Sequence, residues 1–378
     1  MTRSSVQERR HAISVSEIEQ MLRDEVERLV WELLPAAKRD GHHLCVGSLA
    51  GEPGQSLKIE IAGPRKGGWR DFANPDGPDG HGDCLRLIQH VLFAGDLGEA
   101  VQWAKSWLGL DHLDPARLET RRAQARETAR DSAAAHEEEK KLKRKRAVAL
   151  WLGGKPIAGT PAEAYLRGRG IALSDDGLDH WPGSLRFVAE CYNKQERVKM
   201  PAMVAQMLLP DGSHVATHRT YLTWDDRRGW VKMDSPNAKM VLGSCGGSFI
   251  PLRRGATGKS LSDAPAGDWL HLAEGIEDAL VGAMARPALR VGAGYSVGNI
   301  GALVLPEAMR KGGGLVIWAD RDAPGSKAVD ALERTIAKQQ ARGTAVRIVM
   351  PPPPHKDLNE WLQMMVRLGR GQRAREAG

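Results

Sequence analysis

The hydrophobic positions at the start of the chain predict a small domain that mixes helices and strands. A Ser16-x-x-Glu19 spacing, typical of a helix-capping box, precedes an apolar helical face. That face consists of Ile18, Leu22, Val26, Leu29 and Leu33. Alternating apolar residues around Ile59 then predict a strand, and two more helices are expected, one over about 83–93 and one capped by Asp96. Residues 1–110 are therefore predicted to form a small α+β domain.

The next segment has no apolar face. From Leu118 to Arg146 nearly every apolar residue is alanine, and charged residues lie on all sides. A helix of this kind cannot bury a core, so 111–148 is predicted to be a charged helical linker. Residues 149–264 return to a folded pattern of mixed α+β type, in which several short strands are expected.

In the last third of the chain, apolar runs alternate with helical stretches. Four predicted strands end near Ala273, Val291, Ala319 and Met350, and helical patterns lie between them. Such alternation predicts a mostly parallel sheet with helices on its faces, here over 265–368. A flexible tail, 369–378, is expected after it. The predicted fold class is thus multidomain, α+β in the first parts and α/β in the last.

Length and composition indicate a soluble multidomain protein. The 378 residues are 42% hydrophobic and 27% charged, and no apolar run is long enough to cross a bilayer. Four scattered cysteines are too few for a disulfide framework, and the first residues lack the apolar run of a signal peptide. We therefore expect a cytoplasmic protein without a membrane partner.

The positive charge of the chain is concentrated in the predicted linker. The net charge is +7, while 115–146 contains eleven Lys or Arg and six Asp or Glu, a net of +5. Two interpretations are open and compatible. The segment is a solvated helical linker, or it is an arm that contacts phosphates of a nucleic acid.

Acidic residues follow three of the predicted C-terminal strands. They are Glu274 with Asp278 one helical turn later, the pair Asp320 and Asp322, and Asp357. In an open parallel sheet the carboxyl ends of the strands form the site, so these acids are expected to converge. Clustered carboxylates repel one another and suit Mg²⁺ or Mn²⁺. The pattern favours phosphoryl or nucleotidyl transfer, although any single acid could instead cap the next helix.

The order of these acids resembles that of the Toprim domain. Glu-Gly, then Asp-x-Asp, then Lys-Asp, each after its own strand, is the pattern of this domain in bacterial-type primases, topoisomerases and some nucleases. The resemblance extends from Leu270 to Leu362. It implies that Glu274, Asp320 and Asp322 are catalytic and bind metal.

The primase form of the Toprim domain implies further ligands. Glu274-Gly-x-x-Asp278 matches its first segment, and Asp357 matches its last, so the resemblance implies a site for two Mg²⁺ or Mn²⁺ ions formed by all five acids. One position departs from the pattern. Asn359 stands where the Lys-Asp-x-Asp segment of primases has its second acid, which weakens that part of the site.

Segments before the Toprim region also resemble primases. Gly212–Arg219 is similar to a glycine, strand and arginine segment of bacterial primase cores, and Pro236–Lys239 is similar to the Pro-Lys segment after it. The resemblance implies that Arg219 and Lys239, together with Lys356, contact template or nucleotide. Arg219 and Lys239 could also be ordinary surface charges.

The N-terminal region resembles an altered primase zinc-binding domain, through Gly82–Ile88 and the later Gly98-Glu-Ala. Its candidate ligand pairs, His42-x-x-Cys45 and His81-x-x-Cys84, depart from the spacing and residue types of that domain. We therefore expect this domain to lack zinc. Two aromatic residues in the same domain, Trp69 and Phe72, could stack on unpaired bases or pack in the core.

Together these resemblances imply a DNA primase of the compact form found in phages and mobile elements. It would make short RNA primers on single-stranded DNA from ribonucleoside triphosphates, with a separate replicative helicase as partner. Two alternatives stay open: a Toprim nuclease or topoisomerase-like enzyme that cleaves DNA, and a replication protein that binds single-stranded DNA without catalysis.

Overall fold

An antiparallel sheet flanked by helices forms the first of two units, Met1–Glu139, in the computed structural model of the chain. The structure describes residues 13–74, 80–112, 115–175 and 177–376. Within them the strands of this unit pair in chain order: β1 Lys38–Asp40, β2 His43–Val46, β3 Leu57–Glu60, β4 Trp69–Asp71 and β5 His81–Gly82. The helices are α1 Val15–Asp24, α2 Val26–Leu33, α3 Cys84–Leu92 and α4 Leu97–Trp107, followed by a 3-10 turn, Leu110–His112.

The apolar face predicted near the N-terminus is buried, but the capping box predicted there is wrong. Ser14 caps α1, because its hydroxyl accepts from the backbone N–H of Glu17 and the Glu17 carboxylate accepts from the backbone N–H of Ser14. Glu19 instead accepts from the backbone N–H groups of Cys84 and Leu85 at the start of α3. A buried carboxylate on one helix thus satisfies the first N–H groups of another.

One long helix, α5 Pro115–Leu152, covers most of 111–148, the segment predicted to be a charged linker. The second unit, Lys140–Gly378, then continues with β6 Lys155–Pro156 and α6 Pro161–Gly168. Its first sheet has the order β10-β9-β8-β7-β6, and β11 also pairs with β9. The remaining strands of this sheet are β7 Leu185–Asn193, β8 Val198–Leu208, β9 His214–Asp225, β10 Gly229–Lys232 and β11 Lys239–Gly243. Three of them are longer than the short strands expected.

The last sheet is the mostly parallel one that the sequence predicts. Its order is β12-β14-β13-β15-β16, and only β12 runs antiparallel among the described strands of this sheet. The strands are β12 Ile250–Arg254, β13 Trp269–Ala273, β14 Arg290–Ala293, β15 Gly314–Trp318 and β16 Ala345–Val349. The helices are α7 Ile276–Ala285, α8 Val297–Ala302, α9 Glu307–Arg310, α10 Lys327–Ala341 and α11 Leu358–Glu376. Helix α11 continues into the segment where a flexible tail is predicted, and residues 377–378 lie outside the described residues.

Close packing fixes α7, the helix that follows β13, against the sheet. A side chain at Gly282 would overlap the ring of Trp318, so only glycine lets the helix approach β15 at this point. Leu280 and Ala283 of the same helix are fully buried. The first turn of α7 is therefore held at the carboxyl edge of the sheet. Among the described residues, no helix is long and apolar enough to cross a membrane.

Candidate functional site

Neighbouring parallel strands deliver the predicted acids to one edge of the last sheet. β15 lies between β13 and β16, with Trp318 opposite both Ala273 and Val349. Glu274 follows β13 directly, Asp320 follows β15, and Asp357 lies just before α11. Together with Asp278 on α7 they line one cleft of about 700 Å³. The structure thus brings together acids that are up to 83 positions apart in the chain.

The loop after β15 is tied to the loop after β16. The backbone N–H of Arg321 donates to the carbonyl of Lys356 at 2.7 Å, and the Arg321 guanidinium donates to the carbonyl of Pro351 at 2.6 Å. These bonds hold Asp320 on the side of Asp357. Asp322, in the same loop, lies 3.7 Å from the ammonium of Lys356.

Burial and mutual repulsion both raise the proton affinity of this acidic cluster. Burial, and then the charges of Asp357, Glu274 and Asp322, raise the pKa of Asp320 to about 6. Burial and the charge of Asp357 likewise raise the pKa of Asp278 to about 7, although the Asn359 backbone N–H bonds its carboxylate. Burial also raises the pKa of Glu274. The cluster is therefore unfavourable when all its members are ionised, and a cation would relieve that repulsion.

The donor set fits a hard cation. All the side chains are carboxylates, which Mg²⁺ and Mn²⁺ prefer, and their repulsion requires positive charge. Across the described ranges, no three His, Cys, Asp or Glu side chains are grouped closely enough to enclose a metal ion. Mg²⁺ does not require such a cage, since it keeps several waters and is commonly bound by one or two carboxylates together with phosphates.

Basic residues line the same cleft. They are Arg167, Arg169, Arg228, Lys232, Lys239 and Arg367. Some have acidic partners: Arg167 pairs with Glu163, and Arg228 pairs with Asp225. By contrast, the buried Nε of Arg169 has no hydrogen-bond partner among the described residues. Burial and the charge of nearby Lys239 lower the pKa of Lys232. A concentration of cations that repel one another suits a polyanionic ligand.

The sequence pointed to Lys239 but missed the other cations of the cleft. Arg169 follows α6 and Lys232 ends β10, and neither belongs to a recognisable motif. Their place beside the acids depends on how α6 and β10 pack, which residue spacing does not reveal. The pair of basic residues Arg227-Arg228, which lies in the turn between β9 and β10, was the available signal.

Two of the predicted nucleic-acid contacts are held inside the protein. Arg219 is 8% exposed, and its guanidinium donates to the Tyr221 hydroxyl at 2.9 Å and to the Tyr192 carbonyl. Trp69 in the N-terminal unit is 4% exposed, and its indole N–H donates to the Asp83 carbonyl. Their side chains have little surface left for DNA. Phe72 is 61% exposed and is the more accessible ring for stacking.

Asn359, the departure from the primase pattern, holds the site together. Its side chain is fully buried, and its amide NH₂ donates to the Arg169 carbonyl at 3.0 Å while its carbonyl oxygen accepts from Gln363. Its backbone N–H donates to Asp278. A carboxylate could not donate to Arg169, so the amide suits this position better than an acid would.

We expect Asn359→Asp to destabilise the protein by about 1–3 kcal/mol, because it leaves a buried carboxylate facing a carbonyl oxygen and adds charge beside Asp278. Urea unfolding at neutral pH measures the difference. The control is Asn74→Asp, which makes the same change at an exposed position of the other unit. Equal stability of Asn359→Asp and wild-type protein would contradict the structural role.

The candidate zinc ligands have other contacts. The Cys84 thiol donates to the Gly67 carbonyl, and burial raises the pKa of this thiol. Burial also raises the pKa of Cys45, which lies on β2. His81 lies on β5, and His42 lies in the turn before β2. Protonated thiols bind zinc poorly.

The lack of zinc stays a prediction. We expect elemental analysis of the purified protein to give well under one zinc per chain, because these two thiols resist ionisation. Stoichiometric zinc that is lost in Cys45→Ala or Cys84→Ala would contradict this expectation.

Comparisons with known families confirm the Toprim domain. Residues 269–367 match the Toprim domain, and residues 141–252 match a domain of unknown function (DUF7146). No curated protein matches the chain. The chain thus contains a Toprim domain, and its fold class is the predicted mixture of α+β and α/β parts.

Solved structures of primases are among those similar to this chain. The Aquifex aeolicus primase, comprising zinc-binding and RNA polymerase domains, is 14% identical over 94% of this chain and 85% of its own, with a TM-score of 0.36. A DNA primase domain from Pseudomonas aeruginosa is 15% identical over 59% and 74%, with a TM-score of 0.36. The E. coli primase catalytic core is 11% identical over 58% and 75%, with a TM-score of 0.37.

Proposed function

We propose that this chain is a DNA primase, which joins ribonucleotides on a single-stranded DNA template in the cleft of the second unit. One observation carries the proposal: carboxylates that follow three strands and a group of lysines and arginines line the same cleft. A nucleoside triphosphate with its divalent cation has the complementary charges. Its phosphates match the cations, and its metal matches the acids.

Within this proposal the acids hold the metal. Glu274, Asp320 and Asp322 are its main ligands, and Asp278 and Asp357 extend the site toward a second Mg²⁺ or Mn²⁺. When bound, the divalent ions favour ionisation of the attacking hydroxyl and neutralise the departing pyrophosphate. Because Asp320 has a pKa of about 6, metal binding near neutral pH also displaces protons from the cluster.

The cations of the cleft bind and orient the phosphates. Arg169, Lys232 and Lys239 supply N–H donors on the side of the cleft formed by α6, β10 and β11. Lys356, whose side chain is mostly exposed beside Asp322, is placed to contact the template backbone at the rim. Both roles are electrostatic, so both are expected to weaken as salt is added.

The topoisomerase alternative requires an attacking tyrosine near the acids. Tyr165 is the described tyrosine that lines the cleft, but its buried hydroxyl donates to Glu277 at 2.5 Å, and burial raises its pKa well above the usual value. A hydroxyl held in this way is a poor nucleophile. Tyr165 is therefore a poor candidate for the attacking residue of tyrosine-mediated cleavage.

The test is a primer-synthesis assay. Purified protein, ribonucleoside triphosphates and Mg²⁺ or Mn²⁺ are incubated with single-stranded DNA, and products are resolved by gel electrophoresis. Short ribonucleotide chains support the proposal. Shortened DNA would favour the nuclease alternative, and DNA binding without new products would favour the non-catalytic one. A separate helicase partner, which the proposal includes, is tested by co-purification with the replicative helicase of the same source.

Metal binding makes a pH-dependent prediction. Asp278 and Asp320 hold protons more tightly in the folded chain than when unfolded, so metal-free protein should lose stability as pH rises from about 5 to about 8. Mg²⁺ competes with these protons, and we expect it to raise the melting temperature more at about pH 8 than at about pH 5.5.

Differential scanning fluorimetry with EDTA or Mg²⁺ measures this effect. Asp320→Asn should reduce the Mg²⁺ shift, while Asp330→Asn on the exposed face of α10 should not. An equal Mg²⁺ shift at both pH values, or one that is unchanged in Asp320→Asn, would place metal binding elsewhere.

A further inference from the structure

A buried acid lies between the predicted metal ligands of α7. Glu277 follows Glu274 by three positions and precedes Asp278, and it is only 5% exposed although it lies in the lining of the cleft. Its carboxylate accepts from the Tyr165 hydroxyl at 2.5 Å and lies 3.7 Å from the Lys239 ammonium. The ammonium of Lys239 and the hydroxyl of Tyr165 together stabilise the ionised form of this carboxylate.

This anion joins three elements at the cleft. Tyr165 lies on α6 and Lys239 begins β11, both within the region that precedes the Toprim domain, whereas Glu277 belongs to the Toprim domain. Tyr165 is almost fully buried, and Glu277 accepts the hydrogen bond of its hydroxyl. Lys239 differs, since its side chain is 38% exposed and also lines the cleft.

The geometry gives Lys239 two roles at once. An ammonium has three N–H donors, and its ion pair with Glu277, at 3.7 Å, is longer than a hydrogen bond, so these donors can still meet a ligand in the cleft. A lysine side chain is flexible, and fixing it before the ligand arrives removes an entropy cost from binding. Lys232 and Arg169 lie in the same cleft, and their charges would drive an untethered Lys239 away.

We propose that Glu277 is a positioning residue, which, with Tyr165, holds the Lys239 ammonium in the cleft where the phosphates of the nucleotide bind. This inference rests on the proposed function and adds to it a counter-ion for Lys239. If Glu277 influenced the cleft only through its charge, mutating it would have the opposite effect on phosphate binding. Removing a negative charge would make the cleft more positive and would tighten phosphate binding, whereas loss of positioning weakens it.

The test combines Glu277→Gln with a double-mutant cycle. Glutamine keeps the shape and can still accept from Tyr165, but it no longer attracts Lys239. We expect the Kd and KM for a ribonucleoside triphosphate to rise about tenfold, the worth of one hydrogen bond to a charged group, with a smaller change in kcat. In a Lys239→Met background the same substitution should change Kd less than about twofold, because the two residues act through one contact.

Two variants complete the design. Tyr165→Phe keeps both charges and removes the hydroxyl, so it should raise Kd by a smaller factor than Glu277→Gln and report on positioning even if Glu277→Gln folds poorly. Glu333→Gln, on the exposed face of α10, is the matched control and should leave Kd unchanged. Urea unfolding of each variant separates binding from stability.

The outcomes distinguish this inference from the proposed function. Tighter or unchanged nucleotide binding by Glu277→Gln, or losses that add fully with those of Lys239→Met, would overturn the positioning role while leaving the primase proposal intact. Failure of wild-type protein to bind ribonucleoside triphosphate, measured with a fluorescent nucleotide, would overturn both.

Discussion

Asp320→Ala and Glu274→Ala should each abolish primer synthesis, with a loss of about a thousandfold or more, because each removes a carboxylate that we propose holds metal at the reacting phosphate. Neither change should cost stability. Burial and the neighbouring acids raise the pKa of both side chains, so their ionised forms are strained in the folded protein. Removing either one relieves repulsion, and the melting temperature should be unchanged or higher.

Steady-state primer synthesis and thermal unfolding of the same preparations test this expectation. Asp320→Asn provides an isosteric version of the first change, and Asp330→Ala on α10 is a control for loss of a surface acid. Normal primer yield from either site variant would contradict the catalytic assignment. A variant that loses activity because it unfolds would indicate that its carboxylate is structural.

Neutralising the basic end of α5 should have the second largest effect. Lys140, Lys141, Lys143 and Lys145 are exposed within a run in which six of seven residues are basic. If they contact DNA phosphates, changing all four to glutamine should weaken single-stranded DNA binding about tenfold or more at low salt. The slope of log affinity against log salt should also become shallower, by up to about 3, since each contact with a single strand contributes about 0.7.

Fluorescence anisotropy with a labelled oligonucleotide, between low and moderate salt, measures both quantities. The matched control changes four other exposed lysines of the same unit to glutamine: Lys194, Lys311, Lys327 and Lys338. The net charge falls equally in both variants. A difference in their DNA affinity or salt slope therefore comes from the position of the lysines and not from the loss of charge. Identical affinities and slopes would mean that this segment is only a solvated linker.

The C-terminal sheet could be predicted closely because its local signals agree. Helical patterns are expected between its strands, and α7 lies between β13 and β14 while α10 lies between β15 and β16. The strands β13 and β15 are short and apolar, and Glu274 and Asp320 come within two residues of their ends. Convergence of Glu274, Asp320 and Asp357 followed from a general rule, since adjacent parallel strands end at the same edge.

Residues whose roles depend on tertiary contacts could not be predicted. Glu19 has the spacing of a local cap but bonds the N-terminus of α3, 65 positions away. Glu277 reads as one more acid of the Toprim segment, yet its burial and its contact with Tyr165 are decided by packing. Arg219 appears in a basic motif, but the surrounding sheet buries it. In each case the sequence showed a charged residue, but it did not show which residue that side chain would contact.

The most direct test of the proposed primase activity is to measure pyrophosphate release and primer length in one reaction. Wild-type protein is supplied with a defined single-stranded template, ribonucleoside triphosphates and Mg²⁺ or Mn²⁺, and Asp320→Asn is measured in parallel. We predict chains complementary to the template, one pyrophosphate released for each bond formed, and neither product from Asp320→Asn. Pyrophosphate-free cleavage of the DNA, or equal primer synthesis by Asp320→Asn, would contradict this prediction.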